Sequence, residues 1–188
     1  MLLAAIISKP QKPELAGILS DLIAWLEVHH YTYLLDPESA SYLPHLAASG
    51  HPGIDRADLL QHNPNLVIVL GGDGTLLAAA RAFARTTTPI LSVNLGSLGF
   101  LTEVPLADLY TTLQAWCDNC ADIEVRSMMH AELYRNGQIH LQWDALNDVV
   151  VSKGTIARMA DFTIEIDKQF VATLRADGIH LSHKPKRP

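Results

Sequence analysis

Five consecutive residues, Gly71-Gly72-Asp73-Gly74-Thr75, combine what phosphate chemistry asks of a protein: backbone free of side chains, a carboxylate and a hydroxyl. They follow the apolar run Leu66-Val-Ile-Val-Leu70 and precede Leu76 to Arg85, which is Ala-rich and helix-favouring. The pattern predicts a strand, a tight turn and a helix N-terminus. Glycines there let the chain turn sharply and let a ligand approach the backbone. The unpaired amides of the helix start, with the positive end of its dipole, favour a phosphate. Asp73 needs a reason in that setting. Its carboxylate repels a polyphosphate unless a metal ion bridges the two or the carboxylate faces a hydroxyl whose proton it accepts. Thr75 is placed to cap the helix or to contact phosphate. The plainer alternative is that Asp73 caps the helix above a tight turn; three glycines flanking Asp and Thr at the end of a buried strand favour the phosphate site. The segment is not G-x-G-x-x-G, because Leu77 takes the final glycine place, and no G-x-x-x-x-G-K-[ST] occurs. Ordinary dinucleotide oxidoreductases and P-loop enzymes are therefore disfavoured.

The elements that must hold this elbow can be read on either side of it. Leu2 to Ser8 is an apolar run, and Leu15, Ile18, Leu19, Leu22, Ile23 and Leu26 recur at helical spacing behind Pro13. Tyr31 to Leu35 is a short β-prone run. Asp36 to Pro64, rich in Pro, Gly, His and Ser, is expected to be mostly loop with a short helix near Arg56 to Gln61. Pro89 to Val93 is the next strand and Leu106 to Trp116 another helical segment. This alternation implies a mostly parallel sheet covered by helices. After about residue 120 the pattern changes to alternating β segments, with Asn136-Gly137 as a hairpin turn and a second hairpin divided at Asp167-Lys168. The expected fold is an α/β N-terminal domain with a mostly parallel sheet, residues 1–117, followed by an incomplete all-β domain, residues 118–188.

Composition narrows the partners. The 188 residues are 48% hydrophobic and 18% charged, enough for a sizeable core. A net charge of -6 and a pI near 5.8 give no basic field to gather nucleic acid or an anionic membrane surface. The apolar N-terminus lacks a basic flank and meets Lys9-Pro10 too soon for a signal peptide or membrane span, so a cytoplasmic location is expected. Cys117 and Cys120 have no second pair to complete a zinc site and read as incidental reduced thiols. None of the nine histidines is assigned a role.

The elbow alone looks like several kinase families: NAD kinases, diacylglycerol and sphingosine kinases, and phosphofructokinases. Three later segments decide among them. Asn94-Leu-Gly-Ser-Leu-Gly-Phe-Leu-Thr-Glu103 resembles a glycine-containing loop of NAD kinases, Ala145-Leu-Asn-Asp-Val-Val-Val151 resembles their NE/D motif, and Arg175-Ala-Asp-Gly-Ile179 resembles the start of their third motif. The resemblance runs to about Ser182. It implies transfer of the ATP γ-phosphoryl group to the 2′-hydroxyl of the adenosine ribose of NAD, giving NADP, with Mg2+ or another divalent cation carrying the phosphate charge.

By that resemblance Asp73 is the proton acceptor, and Gly72, Gly74 and Thr75 line the phosphate site. Asn147 and Asp148 match the pair that holds ribose and adenine, a sensible use of an acidic side chain that accepts two hydroxyl bonds; on local sequence they also suit a hairpin bend. Asp177 matches the residue at the nicotinamide end. Arg158 and Arg175 match basic or polar positions lining the site, although an arginine in a strand is commonly a solvated surface residue. Phe100 would pack against the dinucleotide, or else be a core aromatic after a turn. The expected partners are NAD and ATP, with no nucleic acid, no membrane, and homo-oligomers in the full-length family.

The family's third motif continues where this chain reads Ile179-His-Leu-Ser-His-Lys-Pro-Lys-Arg-Pro188, so a truncated or frame-shifted product is the expectation. Two alternatives accompany the kinase reading: a noncatalytic nucleotide-binding or oligomerisation remnant, and a lipid or sugar kinase sharing the elbow.

Overall fold

The computed structural model describes residues 2–96, 99–154 and 159–182. Two compact units divide the chain, Met1–Val125 and Arg126–Pro188.

In the first unit the expected alternation becomes β1 (Leu2–Ser8), α1 (Leu15–Val28), β2 (Tyr31–Leu35), α2 (Pro37–Tyr42), α3 (Pro44–Ala48), α4 (Arg56–Leu59), β3 (Leu66–Gly71), α5 (Asp73–Ala82), β4 (Ile90–Asn94), β5 (Val104–Pro105) and α6 (Leu109–Cys117). The sheet order is β2-β1-β3-β4-β5, with every pairing parallel. Chain order reverses direction between β1 and β3, which is the topological switch point at which open α/β sheets bind ligands beyond the strand C-termini.

Strand alternation splits the core in two. Ala4, Ile6, Leu66, Ile68 and Leu70 pack with Leu15, Leu19, Leu22 and Leu26 of α1 and with Leu109 and Leu113 of α6. Ala5, Ile7, Val67 and Val69 pack on the other face with Leu59, Ala79 and Phe83. Every residue of β3 is buried, as expected of a parallel strand covered on both faces. Each fully buried Ile or Leu contributes about 1.5–3 kcal/mol, so the strand carrying the elbow is the most firmly held in the sheet.

The stretch after Asp36 is not mostly loop; α2 and α3 fill its first part, and α4 with a 3-10 turn at Leu60–His62 its second. Asp36 starts α2: its Oδ1 accepts from the Ser39 amide at 2.8 Å, with Pro37 in the first turn. The same carboxylate, fully buried, is gripped by Arg56 through Nε at 2.8 Å and Nη2 at 2.7 Å. The expected short helix near Arg56 is present as α4, whereas α2 and α3, of six and five residues, are too short to show a period, which is why composition alone reads them as loop.

The second unit is all β: β6 (Met129–Arg135), β7 (Gln138–Ala145), β8 (Asp148–Ser152), β9 (Ala160–Ile166), β10 (Gln169–Ala176) and β11 (Gly178–Ser182). They pair antiparallel as β6–β7, β8–β11 and β9–β10. Both predicted turns have two left-handed residues, Asn136 (φ 52°) with Gly137 (φ 76°) and Asp167 (φ 52°) with Lys168 (φ 65°), matching the twist of tight hairpins. Among the described residues the buried apolar side chains all belong to the first unit; Leu141, Trp143 and Leu174 in the second are more than 40% exposed.

Candidate functional site

The elbow sits where the fold puts it, at the C-terminal end of the central strand β3 and the switch point. Gly71 pairs with Asn94 at the end of β4, and Asn94 in turn with Pro105 of β5, so three strand ends meet there. Across the switch point, the Lys9 amide donates to the Leu70 carbonyl at 2.9 Å, drawing the exposed residue after β1 alongside the elbow.

None of the elbow glycines has a positive φ, so the sharp-turn argument for them does not hold. Their reasons differ. A Cβ on Gly71 would lie 2.7 Å from the Cβ of Thr75, so that glycine lets the first helical turn fold back on the strand. Gly72, the extended N-cap of α5, and Gly74 would meet no protein atom within 4 Å. Among the described residues nothing excludes a side chain at either position.

Asp73 is the first residue of α5, yet it does not cap the helix: the N-cap is Gly72 and no side-chain cap bond forms. Thr75 does not cap it either; its side chain lies against Gly71. Instead Asp73 reaches back to the loop before β5. Oδ2 accepts from the Phe100 amide at 2.9 Å. Oδ1 accepts from the amides of Leu101 at 3.2 Å and Thr102 at 3.0 Å and from the Thr102 hydroxyl at 3.0 Å. Burial pushes the carboxyl upward, but the amides of Phe100, Thr102 and Leu101 and the Thr102 hydroxyl outweigh it and hold the pKa below its ordinary value. The carboxylate is therefore ionised throughout the neutral range. Gly99 explains how the loop comes this close: a Cβ on it would stand 2.7 Å from both Asp73 Cγ and Thr102 Oγ1.

Phe100 is 99% exposed, which removes the core-aromatic alternative. Its amide holds Asp73 while its ring projects into solvent. Thr102 and Asn94, both buried, escaped the sequence reading. They lie 21 to 29 positions after Asp73, beyond any local pattern; the signal that could have found them is a polar pair framing the loop from Asn94 to Glu103.

In the second unit Asn147 lies in the bend before β8 and Asp148 opens that strand, with Asp148 Oδ2 3.5 Å from His180 Nδ1 on β11. Asp177 precedes β11 at the other end of the same ladder, where Lys153 Nζ meets its Oδ1 at 2.5 Å. Four strand steps separate Asp148 from Ser152, about 13 Å at ~3.3 Å per residue. The two acidic candidates are thus spread along the ladder, and Lys153 is a cation that the sequence reading overlooked. Arg175, exposed on β10, stands 3.9 Å from Asp161 on its neighbour, the arrangement of a solvated cross-strand pair. Arg158 lies outside the described residues.

Among the described residues no group of three or more His, Cys, Asp or Glu side chains gathers around a metal position. Cys117 and Cys120 are free thiols. Among the described residues no helix is long and apolar enough to cross a membrane.

Known proteins resemble this sequence and share this fold. The sequence pattern of the ATP-NAD kinase N-terminal domain matches residues 4–119. A protein of Acidobacterium capsulatum named NAD kinase is 58% identical over 178 residues, covering 95% of this chain and 61% of the relative. One from Koribacter versatilis with the same name is 48% identical over 175 residues, covering 93% and 60%. The chain thus spans about three-fifths of the length of these relatives. Two solved structures share the fold at 21% identity. Yeast NADH kinase complexed with NADH has a TM-score of 0.75 over 97% of this chain and 57% of its own. An NAD kinase from Archaeoglobus fulgidus in complex with ATP has a TM-score of 0.67 over 96% and 60%.

Proposed function

The chain belongs to the ATP-NAD kinase family, and on that premise we propose that the protein transfers the γ-phosphoryl group of ATP to the 2′-hydroxyl of the adenosine ribose of NAD. The observation that carries this reading is the Asp73 carboxylate, ionised and held by four donors at the mouth of a side-chain-free helix N-terminus.

In the proposed reaction the ribose oxygen attacks the γ-phosphorus and the bond to the β–γ bridging oxygen breaks, releasing ADP. The hydroxyl proton passes to Asp73. A carboxylate with a depressed pKa is a weak base, which fits a loose transition state in which the attacking hydroxyl gives up its proton late. Gly72, Gly74 and Thr75 offer the phosphates the open start of α5. A divalent cation arriving with ATP would offset the charge between phosphates and Asp73.

Phe100, exposed beside Asp73, offers a face for the dinucleotide. In the second unit Asn147 and Asp148 are assigned to the adenosine ribose and Asp177 to the nicotinamide end. Their spread along one ladder suits an elongated ligand. Arg175 and Arg158 are assigned lesser roles on its phosphates.

A coupled assay for NADP, run on the 188-residue chain and on a full-length relative carrying the same elbow, tests the reading. Asp73→Asn should abolish turnover without changing the fold; unchanged turnover removes Asp73 from the mechanism. NAD binding without NADP formation in the 188-residue chain alone would mark it as the binding portion of the enzyme.

A further inference from the structure

We infer that Thr102 and Asn94 are positioning residues that, together with the amides of Leu101 and Thr102, hold Asp73 Oδ1 and leave Oδ2 to face the reacting hydroxyl. The inference rests on the proposal that Asp73 accepts the proton.

The direction of every bond in the relay follows from donor chemistry. The Gly96 amide lies 2.9 Å from Asn94 Oδ1. A backbone N–H can only donate, so the atom facing it must be the amide oxygen, and the orientation of Asn94 is fixed. Its Nδ2, which can only donate, is therefore the atom 2.9 Å from Thr102 Oγ1. Thr102 accepts that bond, leaving its single hydroxyl proton for Asp73 Oδ1 at 3.0 Å. Asn94 thus points the Thr102 hydroxyl at the carboxylate.

The consequence is asymmetry. Oδ1 takes the Thr102 hydroxyl and the amides of Leu101 and Thr102, one more donor than its two lone pairs accommodate well. Among the described residues Oδ2 takes only the Phe100 amide. A carboxylate is otherwise symmetric about its Cβ–Cγ bond. Here Oδ1 is saturated, and Oδ2 is the oxygen with capacity for another proton. Thr102 is fully buried and Asn94 6% exposed, so neither exchanges its partner for water. The pair also ties the end of β4 to the residue two before β5, the two strands beside the elbow on one side.

The test is steady-state kinetics on the full-length enzyme with Thr102→Val, Thr102→Ser and Thr102→Cys. Valine keeps the buried volume and removes the hydroxyl. It should lower kcat roughly tenfold or more while both KM values stay within about twofold, the signature of lost transition-state positioning. Serine should restore kcat to within about threefold of the parent, and cysteine, a weak donor of similar size, should fall between them. A valine variant that keeps the parent kcat, or that raises KM at constant kcat, overturns the inference. If valine unfolds the protein, the serine-over-cysteine ordering decides, and equal kcat values for the two overturn it. A parent enzyme that makes no NADP from NAD and ATP overturns the kinase reading itself and the relay with it. A parent that makes NADP while valine is silent overturns the relay alone.

Discussion

Replacing Gly99 with alanine should unseat Asp73. No positive φ bars a side chain at this position, so the effect isolates close approach from backbone strain. The new Cβ would stand 2.7 Å from Asp73 Cγ and 2.7 Å from Thr102 Oγ1, where ordinary contact begins at 3.4 Å. Asp73 Oδ1 lies closer still to that Cβ, so the loop and the carboxylate must part by more than the 0.7 Å that separates 2.7 Å from 3.4 Å. Bonds now at 2.9 Å from Phe100 and 3.0 Å from Thr102 would stretch past the hydrogen-bond limit. Asp73 is only half-buried, and solvent screening holds each of the two bonds to about 1 kcal/mol. The melting temperature should fall by roughly 4–8 °C. A displacement of this size at a reacting group costs about 10–100-fold in kcat. Gly96→Ala is the matched control in the same loop, because its Cβ would meet nothing within 4 Å. Differential scanning fluorimetry and the NADP assay on both variants decide. Parent-like melting and turnover in Gly99→Ala would refute the reasoning, and so would equal losses in the two variants.

Other positions yield shorter tests. Gly74→Ala, with open space around its Cβ, should leave melting unchanged or raise it by up to about 1 kcal/mol of helix propensity, while weakening ATP binding in calorimetry. Arg56→Leu strands the buried Asp36 carboxylate, and denaturant unfolding should record a loss of about 3 kcal/mol. Asp73 has a depressed folded pKa, so its stabilisation is present above the ordinary carboxylate value of about 3.9 and is lost as pH falls through the lower folded value; the melting difference between parent and Asp73→Asn should be full at about pH 7 and shrink as pH falls below the ordinary carboxylate value. The hydrogen bond that the His130 imidazole donates to the Asp144 carboxylate holds its pKa above the ordinary value, so its contribution is complete below about pH 6.5 and disappears as pH rises through the folded value. A proton NMR titration should find that midpoint raised, and Asp144→Asn should lower it.

What could be read from the sequence was whatever is local. The apolar run into Gly71 and the Ala-rich run after it announced β3, the elbow and α5, and Asn136-Gly137 announced its turn. The pairing of Asp73 with residues 100 to 102 was not readable, because partners almost 30 positions apart leave no periodic trace. The helix near Arg56 was legible, but α2 and α3 were hidden for a related reason: the Asp36 cap that starts α2 is itself held by the Arg56 grip, a contact across 20 positions. Of the two reasons read for the elbow glycines, the sharp turn covers none of them, and an open approach to the backbone is left to Gly72 and Gly74. Gly71 and Gly99 admit Thr75 and Asp73, while Gly72 and Gly74 admit nothing the protein itself supplies.

That division of the glycines says how the site is organised. On the inner side, two glycines bring a loop and a helix start into contact so that backbone amides, which cannot rotate away, hold the carboxylate. On the outer side, two glycines keep the approach clear. Phe100 belongs to both sides at once: its amide is, among the described residues, the single donor on Oδ2, and its ring is exposed. A dinucleotide that packs on the ring, as proposed, must act on the same peptide unit that fixes Oδ2. Substrate engagement would then bear on the placement of the proton acceptor through Phe100, on the oxygen that the Asn94–Thr102 relay leaves open.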